Sequence, residues 1–158
     1  MSLADIREQI RVILTGVPGI GVVHDRERWS NDWNKFLDHY KDADGQFNGC
    51  VFAREKWEER QATIGETETA HVFLFRRIMA LQDARATGII LDDHLEDMRA
   101  AFRSNKTLNG TCRTIDPDWG PMSGVVGLQG DIIEPRWFGN VLCHVAECRL
   151  CVIEAQST

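Results

Sequence analysis

Two long extended runs joined by one glycine-bearing connection constrain this chain more than any other feature. Asn48 to Arg60 and Thr67 to Leu81 face each other across a connection containing Gly65, which is the pattern of a β-hairpin. The base is apolar, with Val51 and Phe52 on one arm and Val72, Phe73, Leu74 and Phe75 on the other. The distal stretch, REKWEERQATIGETET, is almost wholly polar. Such a hairpin buries its base in a core and sends its tip into solvent or onto a partner.

A third extended run, VLCHVAECRLCVIE, places Cys143, His144, Cys148 and Cys151 within nine positions. Strand side chains alternate between faces. Cys143, Val145, Glu147, Arg149, Cys151 and Ile153 then share one face, and Leu142, His144, Ala146, Cys148, Leu150 and Val152 share the other. The second face is the more apolar and is expected to meet the core. A structural zinc site draws its ligands to one point, usually from two paired knuckles, and alternation separates Cys148 from Cys143 and Cys151. The Cys148-x2-Cys151 spacing fits a redox motif only at a helix N-terminus, where a thiol pKa is lowered. The residues read as a sulfur-rich core strand, with a small zinc- or thiol-binding protein using Cys143, Cys148 and Cys151 as the alternative.

Helical periodicity appears three times. Leu3, Ile6, Ile10, Ile13 and Leu14 form one stripe behind Ser2 as N-cap, ended by TGVPGIG. Trp29, Trp33, Phe36, Leu37 and Tyr40 predict a second helix over Arg28 to Lys41, followed by a turn at Asp42 to Gly45. Leu91, Leu95, Met98 and Phe102 predict a third over Asp92 to Lys106, capped by Asp92 or Asp93. TCRTID is a candidate short strand, and Pro117 to Gly130 a glycine-rich loop, expected to be mobile in the free subunit together with the hairpin tip. The order ααββαβ predicts a single α+β domain over residues 1–158, a mainly antiparallel sheet with a long β-hairpin packed against two to three helices.

With 158 residues, 43% hydrophobic and 27% charged, the chain has the composition of one globular domain. Eighteen basic against 24 acidic residues give a net charge of -6, which disfavours a specific nucleic-acid reader; Arg76-Arg77 is the clearest basic pair. The charged opening MSLADIREQIRVIL has no signal-peptide or membrane-span character, so reducing conditions and five free thiols are expected. Ser123 lies outside a G-x-S-x-G elbow, GVPGIG lacks a P-loop lysine, and His24, His39 and His94 read as surface or capping histidines. Catalytic, cofactor-binding and metal-binding residues are therefore not expected.

Two segments carry a family resemblance. IREQIRVILTGVPGIGVVHDRERWSNDWNKFLDHYKD, Ile6 to Asp42, and IIEPRWFGNVLCHVAECRLCVIE, Ile132 to Glu154, resemble the opening and closing segments of phage tail terminator (tail completion) proteins of the minor tail protein class. These are encoded in the tail-morphogenesis clusters of long-tailed phages and prophages. The resemblance implies a non-enzymatic virion protein without cofactors. It implies a homo-oligomeric, hexameric ring at the head-proximal end of the tail, assembled in the bacterial cytoplasm. Its partners would be further copies of itself, the tail tube protein and the head–tail connector protein, with no specific nucleic acid and no membrane. A head–tail connector of the same gene cluster is the alternative within this class. Trp57, Arg60, Glu66, Trp119 and Trp137 are the expected interface residues, because exposed aromatics and a projecting hairpin suit oligomer joints.

Overall fold

The computed structural model describes residues 2–28 and 32–157, with backbone alone at Trp33 and Asp83. Five strands form one sheet in the order β1-β2-β3-β5-β4. They are β1 (Val22–His24), β2 (Asn48–Thr63), β3 (Glu66–Ala80), β4 (Gln129–Phe138) and β5 (Val141–Ser157), with helices α1 (Leu3–Thr15), α2 (Trp33–Asp38) and α3 (Thr87–Arg103). All pairings are antiparallel except the short parallel β1–β2 contact. The architecture is α+β, as the element pattern predicts.

The expected hairpin is β2 and β3, in register from Asn48↔Met79 to Thr63↔Glu66. β3 is central, since β5 pairs with its whole length from Glu66↔Ser157 to Ala80↔Cys143. The polar tip is therefore asymmetric: β2 is exposed from Arg54 to Gln61 but for half-buried Ala62 further out, while Glu68, Thr69, Ala70 and His71 of β3 are buried. Glutamate and histidine are tolerated there because each finds a charged or hydrogen-bonding partner, described below.

α1 forms as its periodicity requires. The Ser2 hydroxyl caps it by accepting from the Asp5 amide at 3.1 Å, and Ile6, Ile10 and Leu14 are fully buried. With α3 it covers one face of the sheet. The principal core there contains Phe52, Phe73, Phe75, Met98, Phe102, Cys148, Leu150 and Val152. The even-numbered side of β5 thus meets the main core, as alternation predicts. Phe75 stacks on Phe52 at 5.6 Å and meets Phe102 edge-on at 5.7 Å, so deleting its ring would cost about 3–5 kcal/mol.

The opposite face is also covered, at both ends, which the sequence reading did not foresee. α2 packs Phe36 and Leu37, with Tyr40 beyond, on Val51, Ile78, Cys143 and Val145. At the hairpin end, Trp119 and Met122 pack on Ala70, Val72, Cys151 and Ile153. Between these two caps lies an open band of ion pairs: Arg76 with Glu27 at 2.5 Å, Arg136 with Glu147 at 3.1 Å, and Arg149 with Glu55 at 2.8 Å.

Several boundaries differ from expectation. α2 starts at Trp33, where the Asp32 carboxylate accepts from the Asn34 amide, so it is shorter than Arg28 to Lys41; Trp29 lies outside the described residues. α3 starts five residues before Asp92, at Thr87, after Ala86 in left-handed conformation, and ends at Arg103. Its opening is held by the Thr87 hydroxyl accepting from the Gln82 amide at 2.9 Å, so Asp92 and Asp93 are exposed mid-helix residues rather than caps. TCRTID makes only an isolated bridge, Thr114↔Ile153. β1 and β4 are additional strands; β4 contains Pro135, tolerated because β4 is an edge. Within the glycine-rich loop, Pro117, Gly127 and Leu128 are buried while Pro121, Ser123, Gly124 and Val126 are exposed, and the Gly127 amide donates to Asp116 at 2.9 Å.

Candidate assembly surface

The distal half of β2 follows the only contact with β1, which ends at Val51, so its outer edge is unpaired among the described residues. Two devices blunt this edge as a pairing template. The register shifts between Arg54 and Lys56 and again between Gln61 and Thr63, and the exposed side chains are mostly charged, of both signs. At the other end of the sheet, Pro135 interrupts the β4 edge by lacking an amide hydrogen.

The first register shift has a local consequence. Arg54 aligns with Phe73 and Trp57 with His71, so both project on the helix-bearing face. The Arg54 guanidinium lies 5.9 Å from the Trp57 ring centroid and 3.4 Å from His71 Nδ1. Arginine has only donors, so Nδ1 accepts and Nε2–H donates to Glu154, 3.1 Å away. The other Glu154 oxygen accepts from Gln156 at 3.0 Å. Burial holds the His71 pKa below its ordinary value, against the opposing pull of Glu154. These groups border a shallow depression of about 350 Å³ beside Ser2 and Leu3 at the start of α1.

On the opposite face, Arg60 donates to Glu68 at 2.7 and 3.1 Å, and Arg113 pairs with the other Glu68 oxygen and with Asp118 at 2.6 Å. The Arg60 guanidinium covers the Trp119 ring at 4.6 Å. Arg60 and Trp119, two of the expected interface residues, are thus brought together and held by internal partners. Trp119 is half-buried rather than exposed, because its ring is the lid over Ala70, Val72, Cys151 and Ile153. Glu66 is half-buried at the turn, with the Thr63 hydroxyl 3.4 Å away.

Trp57 and Trp137 are exposed as expected, at 51% and 67%, but they stand at opposite ends of the sheet. Trp137 aligns with Leu142, Ile133 with Ala146 and Pro135 with His144, which places all three on the helix-bearing side of β4. Ile133 is exposed too. The residue that sequence reasoning missed is Ile64, 99% exposed beside Gly65 in the hairpin turn. A β-branched residue in a turn usually dominated by Gly, Asn and Asp was the available signal.

The cysteines divide as alternation requires. Cys148 lies in the principal core, Cys143 beneath α2 and Cys151 beneath Trp119. Burial raises all three thiols to about 11, the opposite of what a nucleophile or metal ligand needs. Among the described residues no three His, Cys, Asp or Glu side chains are grouped to hold a metal ion, and no helix is long and apolar enough to cross a membrane. Two histidine and arginine expectations need correction. His94 is half-buried and bonded to Arg77, and Arg77 is fully buried instead of forming a surface basic pair with Arg76.

The chain matches no protein-family model, and a search of curated proteins gave no significant match.

Proposed function

We propose that the chain is a structural virion subunit of the tail-terminator kind. Its copies form a ring, hexameric in this reading, that caps the head-proximal end of a phage tail tube and joins it to the head–tail connector. The observation that carries the proposal is that exposed apolar side chains stand on both flanks of the sheet, in addition to Val12, Ile89 and Val126 elsewhere on the surface. Trp57 and Ile64 stand on the hairpin, and Ile133 and Trp137 stand on the far edge strand. Two different patches on opposite flanks are what a heterologous interface requires, and such an interface closes into a ring when its rotation permits.

The resemblance of Ile6–Asp42 and Ile132–Glu154 to tail terminators supports the same reading. The net charge of -6 suits a wall past which DNA slides without sticking. No enzymatic step is assigned. Light scattering after size exclusion, alone and mixed with tail tube protein or connector protein, is the direct test. A ring, or a monomer that assembles on tube ends, supports the proposal. Binding to the connector alone would move the assignment to a neck protein, and a strict monomer ignoring both partners overturns it.

A further inference from the structure

We infer that Arg77, His94 and the Gly19 carbonyl form an acid-labile latch tying the α1–β1 connection to α3 and the sheet, closed only while the His94 ring is uncharged. Arg77 is fully buried in the middle of β3 and, among the described residues, pairs with no carboxylate. Its Nη1 donates to the Gly49 and Ile78 carbonyls at 3.1 and 3.0 Å. Its Nη2 donates to the Gly19 carbonyl at 3.1 Å and meets His94 Nδ1 at 3.0 Å. Among the described residues its Nε has no hydrogen-bond partner.

A guanidinium has no acceptor, so His94 Nδ1 must carry no proton. Protonating it replaces a hydrogen bond by two cations at contact distance in a desolvated site. Burial lowers the Arg77 pKa to about 10, so Arg77 remains charged near neutrality and the histidine is the group that yields. His94 sits close over the connection: a Cβ on Gly19 would lie 2.7 Å from its Nε2. The charged groups facing His94 are Arg77 from β3 and Asp93 and Asp97 from α3 itself. Asn48 of β2, which also donates to the Gly19 carbonyl at 3.0 Å, is uncharged.

Burial, then Arg77, hold the His94 pKa below 6.5, against Asp97 and Asp93. The folded state therefore binds fewer protons than the unfolded one. The stabilisation is complete above pH 6.5 and is lost as pH falls below it.

The test follows the His94 ring by NMR and the amide protection of residues 17–22 between pH 7.5 and 5. The wild-type His94 ring should titrate below 6.5, and protection should fall as the pH drops through that titration, by about tenfold for each unit separating the folded from the unfolded value. His94→Asn, whose side-chain carbonyl accepts from Arg77 without titrating, should keep its protection at pH 5. A wild-type ring titrating at or above 6.5 overturns the latch whether or not the variant folds. So do protection that ignores pH and an acid response unchanged in the variant.

Discussion

Replacing Glu68 by alanine tests whether the hairpin tip is held by ion pairs instead of by packing. Glu68 is only 4% exposed, yet it receives Arg60 and Arg113, two positions along β3 from Ala70 of the small apolar cluster. A hydrogen bond to a charged group contributes about 1.5–3 kcal/mol when well shielded. The arginine side chains are 42% and 36% exposed, so water screens each pair and reduces it to about 1 kcal/mol. Arg113 keeps Asp118 after the substitution. Two screened pairs give an expected loss of about 2 kcal/mol, which for a domain of this size lowers Tm by about 4–8 °C. Urea and thermal unfolding would measure this, and hydrogen exchange at Ile153, whose amide donates to Thr114 at 2.9 Å, would show local loosening. Glu68→Gln should lie between alanine and wild type. A loss under about 0.5 kcal/mol would refute the ion-pair reading. A loss beyond about 4 kcal/mol would show that Glu68 supports the core like a packed apolar residue.

Four further outcomes follow from the structure. Cys50 and Cys112 are raised to about 12 and Cys143, Cys148 and Cys151 to about 11 by burial, so all five should resist a thiol reagent natively and react once urea unfolds the chain. The raised values also mean that the folded state retains protons in alkali, so stability should fall as pH rises above 9. Gly21→Ala should be among the most damaging small substitutions, by more than about 3 kcal/mol, since φ is +72° and the new Cβ would lie 2.1 Å from the Asn48 carbonyl oxygen; denaturation midpoints check this. In the proposed ring, Trp57→Ser with Ile64→Ser should weaken self-association by at least tenfold in light scattering while leaving the monomer's Tm nearly unchanged, because both side chains are exposed.

The legible parts of the molecule were those governed by local period and composition. The base of the hairpin and the two faces of β5 follow from alternation, and α1 from its stripe and its Ser2 cap. What stayed hidden depends on distant partners. β4 reads poorly because Pro135 argues against a strand, and only its position at the sheet edge removes the objection. α3 begins early because Thr87 is fixed by Gln82 and His144, neither of which is legible in the helix's own sequence. Arg77 looks like half of a surface pair until the Gly19 connection folds over it. At the candidate surface, Trp57 and Trp137 were identifiable as exposed aromatics. Trp119 was not identifiable as a lid, because its neighbours come from β3 and β5.

The placement of β5 has a consequence for synthesis. β3 bonds to β5 along its full length, and β5 contributes to all three apolar clusters. Its pairing residues lie roughly 60 to 90 positions after those of β3, which at about 5–20 residues per second leaves several seconds between their translation. Through that interval Val72 to Phe75 have one neighbouring strand and a bare second edge. The nascent chain is then a sticky half-sheet rather than a folded domain, and its vulnerable stage lies on the ribosome more than in the finished protein. Slower chain elongation should lengthen that exposure, and excess chaperone that covers extended apolar segments should raise the soluble yield.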